Sequence, residues 1–436
     1  MLIGATAAVW SMVLPLTAPQ RAKVAAAPAD AVVARVYLPL VAALVDRTEL
    51  PAAPTALATA TATAPAPTTV APSPTGSPPP VDPTPSPTAV PTGSPLGPPL
   101  AVAESDRGRW VFEPFPDAVC GRGTATGLGL NFVPDSTDLV IYFEGGGACW
   151  DPFTCLLAQT ASNLDGVDKT KFDAAVEQGQ IGKGIFDRGD PTNPFRTMNW
   201  IYVPYCTGDA HLGDRIATYQ GQSIHHVGWK NVDAFLRRIV PTFRGAGRVV
   251  VAGFSAGGLG STGNVLHVAD AFQAVDGPVP ELIDDAGPIV RPPYLTAAAQ
   301  AKLHDAWGLG GTIEQRCPSC RPSTGYHEVY AFLARTLPGF RGSLISSYED
   351  GTIRSFFTLL NGAAVDGPAM RRGLDDLADW SAGWDPTDIP GRLRVFFYPG
   401  ERHGALTTGP LSATPGLLEF LQAQLGNDAG WSSVRP

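Results

Sequence analysis

The segment Arg248–Gly258, RVVVAGFSAGG, constrains the fold of this chain more than any other. Val249, Val250, Val251 and Ala252 are apolar without alternation, as in a strand covered on both faces, and they run directly into Gly253-Phe254-Ser255-Ala256-Gly257-Gly258. A serine set between glycines at the end of a strand implies a sharp strand-to-helix turn, where the serine backbone is strained and larger neighbours would collide. The helix that follows would direct its free amides at any negative charge developing near the serine. The plainer alternative is a glycine-rich packing turn with no chemistry.

Other segments repeat the pattern of an apolar strand ending in a polar or glycine-rich turn. Leu139–Phe143 runs into Glu144-Gly145-Gly146-Gly147, and Trp200–Tyr205 into Cys206-Thr-Gly-Asp209. Leu344–Ser347 precedes Tyr348-Glu349-Asp350, and Leu393–Tyr398 precedes Pro-Gly-Glu-Arg-His403. Helical stretches such as Asn231–Ile239 lie between them. The expected fold class is α/β, a mostly parallel sheet flanked by helices, with the ligand site at the carboxyl ends of the strands.

Composition divides the chain of 436 residues. Residues 51–100 hold 16 of its 43 prolines and ten threonines but no aromatic residue, so they cannot build a core. The expected organisation is a signal peptide or N-terminal anchor at 1–28, a disordered Pro/Thr/Ala-rich linker at 29–105 and one catalytic domain at 106–436. The apolar run at 2–16 is too short for an ordinary membrane span and suits the core of a secretory signal. A second apolar patch at 32–45 is interrupted by Arg35 and Pro39 and receives no function. The linker reads as an extended spacer able to hold a domain away from a cell wall or envelope. Acidic residues outnumber basic ones 40 to 31, and no basic run offers itself to phosphates, so a nucleic-acid partner is not expected.

Six cysteines in a chain expected to be secreted or displayed at the cell surface argue for disulfides. The expected pairs are Cys149–Cys155, Cys120–Cys206 and Cys317–Cys320. The Cys317-Pro-Ser-Cys320 spacing also fits half a zinc site, but no second pair completes it, so no metal is expected.

The candidate nucleophile is Ser255. Gly146 and Gly147, with Ala256 after the serine, are the candidate backbone donors of an oxyanion hole, because glycines let main chain approach a reacting carbonyl closely. No Gly-Lys-Ser/Thr follows the triple glycine, which removes the phosphate-loop reading. Among seven histidines, His403 alone combines a position after the last strong strand with flanking glycines, at 400 and 404. Four acids fall between serine and histidine at strand ends: Asp350 is the first choice, Asp285 and Asp284 are the alternatives, and Glu349, beside the first, is the last of them.

Taken together these motifs resemble the pectin acetylesterase and Notum family of serine carboxylesterases. The resemblance rests on Glu144-Gly-Gly-Gly-Ala-Cys149-Trp150, Tyr205-Cys206-Thr-Gly-Asp209, His226-Val-Gly228-Trp-Lys-Asn231, Gly253-Phe-Ser255-Ala-Gly-Gly258, Asp285-Ala-Gly287, Ser347-Tyr-Glu-Asp350 and His403-Gly404. It implies an α/β-hydrolase fold, export, and a Ser255–Asp350–His403 triad with oxyanion donors in the glycine loop and after the serine. Plant members tend to have Tyr and Asp adjacent at the acid, whereas Glu349 intervenes here.

The expected chemistry is acyl-ester hydrolysis through an acyl-enzyme, needing no cofactor. The expected substrate is an acylated carbohydrate, with a small acyl group, acetyl above all, on a polysaccharide such as pectin. Trp150, Trp380 and Trp384 are candidates for stacking on sugar. The alternatives are a non-catalytic, surface-displayed binding protein on a hydrolase scaffold, and a lipase or depolymerase acting on longer acyl chains.

Overall fold

A computed structural model describes residues 96–436. The signal or anchor expected at 1–28, and the linker up to residue 95, lie outside the described residues. Residues 96–105, the end of the expected linker, lie against the domain: Gly97 N–H donates to the Arg237 carbonyl at 2.9 Å, Leu100 N–H donates to Thr242 Oγ1 at 2.7 Å, and the Leu100 side chain is buried.

Ten strands follow: β1 (Val111–Val119), β2 (Ala125–Asn131), β3 (Asp138–Phe143), β4 (Asn199–Val203), β5 (Arg215–Tyr219), β6 (Gln222–His226), β7 (Arg248–Phe254), β8 (Glu281–Asp285), β9 (Arg341–Ser347) and β10 (Arg392–Tyr398). Eight form one sheet in the order β1-β2-β4-β3-β7-β8-β9-β10, while β5 and β6 make a separate hairpin. The pairs β1/β2 and β2/β4 are antiparallel, and every other pair in the large sheet is parallel. Each strand read from the sequence is present, with small shifts at its ends.

The helices are α1 (Lys169–Glu177), α2 (Gly228–Thr242), α3 (Ala256–Gln273), α4 (Ala297–Trp307), the single turn α5 (Ile313–Arg316), α6 (Glu328–Thr336), α7 (Gly351–Asn361), α8 (Gly367–Ala382) and α9 (Leu417–Leu425). They cover both faces of the sheet, which explains the unbroken apolar runs in its strands. Val249 and Val251 of β7 enter a core shared with Phe235 and Ile239 of α2 and Phe272 of α3; Val250 and Ala252 enter the opposite core with Phe172 of α1 and Phe420 of α9. A fully buried valine contributes roughly 1.5–3 kcal/mol, so three consecutive valines anchor β7 firmly between the layers.

The three disulfides are Cys120–Cys206, Cys149–Cys155 and Cys317–Cys320, the expected pairs. Cys120–Cys206 spans 86 residues of sequence and ties the end of β1 to the turn after β4. Loop-closure entropy predicts that this bridge constrains the unfolded chain by about 4–5 kcal/mol, against about 1.5 kcal/mol for the three-residue separation of Cys317–Cys320. In urea unfolding, Cys120→Ser with Cys206→Ser is expected to lower stability by several times as much as Cys317→Ser with Cys320→Ser. Equal losses would contradict this ranking.

Candidate active site

Ser255 occupies the turn between β7 and α3 with φ 57° and ψ −122°, a strained conformation for a residue with a side chain. The strain is held by close packing of the glycines around it. A Cβ on Gly253 would overlap the Gly257 carbonyl, one on Gly257 would overlap the Phe143 carbonyl of β3, and one on Gly258 would overlap the Asp284 carboxylate. Ser255 N–H donates to the Asp285 carbonyl at 2.7 Å, which fixes the turn to the neighbouring strand.

Asp350 and His403 meet at the ends of β9 and β10. The His403 Nδ1–H donates to Asp350 Oδ2 at 2.8 Å, the ring nitrogen acting as donor because a carboxylate only accepts. Asp350 Oδ1 accepts from the amides of Thr352 at 3.0 Å and Ile353 at 2.9 Å, so the same fully buried carboxylate caps α7. Ladder-like contacts continue past the strands: Tyr348 N–H donates to the Tyr398 carbonyl at 2.9 Å and Glu349 N–H to that of Gly400 at 3.0 Å. Glu349 is thereby turned from the ring and its side chain lies against Gly367. The His403 ring packs 4.7 Å from that of Phe254, the residue before Ser255, so histidine and serine share one edge of the sheet.

The two alternative acids have other partners. Asp284 accepts from Thr262 Oγ1 and the Gly287 amide, both at 2.9 Å, and burial pushes its carboxyl up to about 7. Asp285 accepts from the backbone amides of Ala405 and Leu406, just beyond His403.

Gly147 and Ala256 border the same cavity as Ser255, and Gly146 stands one residue back with φ 152°. A side chain at Gly146 would strike Ser162, and one at Gly147 the Thr160 carbonyl. Ala256 opens α3, where an N–H has no acceptor within its own helix.

Beneath this loop lies support that the sequence reading missed. His211, in the loop after β4, is buried; its Nε2–H donates to the Glu144 carbonyl at 2.9 Å, and burial lowers its pKa to about 4, so the ring is neutral at physiological pH. Asp209 accepts from Thr207 Oγ1 at 2.5 Å and from the amides of His211, Gly213 and Gly228 at 3.0, 3.1 and 2.8 Å. Glu144 Oε2 accepts from Tyr205 N–H at 2.8 Å. The available signal was the grouping of Thr207, Asp209 and His211 in the turn that follows the apolar run Trp200–Tyr205.

An apolar cavity of about 110 Å³ opens on Ser255. Its walls come from Trp150 after the glycine loop, Leu212, Leu303 and Trp307 of α4, Leu309, and Phe357 of α7. Trp150 is therefore a wall of this cavity, braced by Phe356 with ring centroids 6.5 Å apart, while Trp380 and Trp384 pack against each other elsewhere. Among the described residues the one cluster with metal-like spacing is Cys149, Cys155 and His226. Its two sulfurs are bonded to each other, and His226 is engaged by the Thr207 carbonyl and the Tyr219 hydroxyl, so it offers no ligand set.

Comparison with known proteins agrees with this architecture. Residues 112–299 match the model of the pectinacetylesterase family, a span that includes the glycine loop and Ser255 and stops short of Asp350 and His403. Palmitoleoyl-protein carboxylesterase notum2 of Xenopus laevis is 30% identical over 152 residues, 34% of this chain and 30% of that protein. Palmitoleoyl-protein carboxylesterase NOTUM of Drosophila melanogaster is 23% identical over 228 residues, 49% of this chain and 33% of that protein. The chain thus spans about a third of the length of the curated relatives it matches. The chain is similar, over the part that holds the glycine loop and the serine turn, to the pectinacetylesterase family and to the two Notum carboxylesterases.

Proposed function

We propose that this protein is a carboxylic ester hydrolase in which Ser255 is the nucleophile, His403 the general base and Asp350 the carboxylate that orients it. Ser255 Oγ attacks the ester carbonyl and passes its proton to His403. The amides of Gly146, Gly147 and Ala256 hold the oxyanion, and the protonated histidine then gives its proton to the departing alcohol. Water, activated by the same histidine, releases the acid from Ser255. The hydrogen bond from His403 Nδ1–H to Asp350 supports these roles, since it leaves Nε2 as the basic nitrogen.

The observation that carries the substrate reading is the apolar cavity that ends on Ser255. A water-sized group needs on the order of 10–15 Å³ by this measure, so about 110 Å³ accommodates a chain of roughly eight such groups. We therefore favour an ester with a medium-length apolar acyl chain. The names of the two Notum relatives specify a palmitoleoyl group, apolar like the lining of this cavity but longer than the chain its volume holds. A second reading, hydrolysis of acetyl esters on a polysaccharide such as pectin, is favoured by the family match and uses the same residues. Three disulfides support export. No helix among the described residues is long and apolar enough to cross a membrane. Residues 29–95 would then serve as the spacer between domain and cell wall or envelope.

A series of p-nitrophenyl esters from acetate to dodecanoate tests both parts. The expected kcat/KM peaks between about six and ten carbons, and a peak at acetate would select the polysaccharide reading instead. Ser255→Ala should lose activity by on the order of 10³-fold or more, and Asp350→Asn by a comparable factor in kcat with native circular dichroism. Unchanged turnover in folded Ser255→Ala would leave a non-catalytic scaffold. Leu303→Trp, which narrows the cavity from α4, is expected to cut kcat/KM for octanoate about tenfold or more while leaving acetate within about twofold.

A further inference from the structure

Asp285 closes β8 at a point where three parts of the site converge. Its backbone pairs with Phe254 in the β7/β8 register, and its carbonyl accepts the Ser255 N–H at 2.7 Å. Its side chain is fully buried and turns toward the segment after β10. Oδ2 accepts from Ala405 N–H at 2.8 Å and from Leu406 N–H at 2.7 Å, while Oδ1 lies 3.1 Å from the Ala405 nitrogen. Gly404, between His403 and these amides, has φ 76°, and a Cβ there would overlap the Phe254 ring and come within 3.2 Å of Asp285 Oδ2. From the opposite side, Ile185 N–H donates to the Leu406 carbonyl at 2.8 Å.

We propose that Asp285 is a positioning residue of this site, fixing the His403 loop against the Ser255 turn and placing a second buried carboxylate beside the imidazole. The inference rests on the ester-hydrolase reading above. Two adjacent N–H groups on one carboxylate oxygen set the direction in which the chain leaves His403, and the Ser255 bond to the same residue references that direction to the nucleophile. Asp350 orients the ring through Nδ1; Asp285 acts through the backbone and through its charge.

The charged and titratable groups around Asp285 are Asp284 on its own strand, Asp350 at the start of α7, Tyr398 at the end of β10, and His403. Burial raises the Asp285 carboxyl from 3.8 to about 6, while the two amides and His403 oppose the rise. Because the folded-state value is the higher one, the folded protein holds this proton more tightly than the unfolded chain does. Ionising Asp285 as pH rises from about 4 to 6 therefore costs stability, and the charge beside His403 is complete only above about 6. A site that keeps a buried carboxylate ionised at such a cost gains an attractive field for the imidazolium formed during turnover.

Asp285→Asn tests this, because it keeps the size and one acceptor while removing the charge. Histidine-selective NMR, with His403 assigned through His403→Gln, is expected to show the His403 titration midpoint lower by about half a unit or more in the variant. On the best p-nitrophenyl ester, kcat should fall about tenfold or more with KM within about threefold, and the acid limb of kcat/KM should move to lower pH. Asp284→Asn is equally buried but faces Thr262 and Gly287, and it should leave the histidine midpoint in place. A midpoint unmoved in Asp285→Asn, or moved equally by Asp284→Asn, overturns the proposal. If Asp285→Asn does not fold, Asp285→Ser gives the same two readings. The NMR measurement needs no substrate, so a wild type inert toward every ester would defeat the hydrolase reading while Asp285 is still decided.

Discussion

The close approach of α3 to the sheet underlies the rest of this structure. Gly253 at the end of β7 and Gly257 in the first turn of α3 touch each other's backbone, and Gly257 also touches the carbonyl of Phe143 at the end of β3. Side chains at these positions would hold the helix off by more than an ångström. The serine turn would relax, and the helix N-terminus would no longer point at the space above β3. That contact brings the strained Ser255, the glycine loop after β3 and the α3 amides to one place. The carboxyl ends of β8, β9 and β10 then deliver Asp285, Asp350 and His403 to the same edge.

Local chemistry was legible in the sequence, and long-range assembly was less so. A run such as RVVVAGFSAGG specifies its own strand, turn and helix start, because each residue acts on its immediate neighbours. The same holds for Glu144–Gly147 after LVIYF. Asp350 was the first choice over Asp285, but position in the chain gave little to separate them, since both end strands between serine and histidine. Only the sheet order, with β9 beside β10, shows which carboxylate faces the ring. Asp209 and His211 were missed because their partners, Gly213, Gly228 and Glu144, are spread over 85 residues and converge only in the fold. The cavity was invisible for the same reason. Its wall combines Leu259 and Gly263 of α3, Leu303 and Trp307 of α4, and Ile353, Phe356, Phe357 and Leu360 of α7, whose helical spacing marks a buried face in the sequence but not the space left between these faces.

The buried polar groups form a second framework beneath the candidate catalytic residues. Asp209 holds the segment after β4, His211 holds the Glu144 carbonyl at the root of the glycine loop, and Asp285 joins β8 to the segment after β10. Each is almost entirely removed from water and satisfied largely by backbone amides or carbonyls. Such groups contribute little net stability and are expensive to leave unpaired, so they act chiefly by excluding alternative arrangements of the loops. The apolar layers supply the stability, and the polar network specifies where the loop ends lie.

The loop from Ala148 to Thr160 leaves and re-enters the domain at almost the same point. Gly147 bridges to Ala161, the Cys149 amide donates to the Gly208 carbonyl at 2.9 Å, and Cys149 is joined to Cys155. Its outermost large apolar residue, Leu157, is 77% exposed and lies beyond all of these ties. The outer turn is therefore mechanically isolated from the amides at its base. Changes of length or sequence around residue 157 can reshape the rim without moving Gly147, which leaves this one loop open to divergence between related proteins while the backbone beneath it stays fixed.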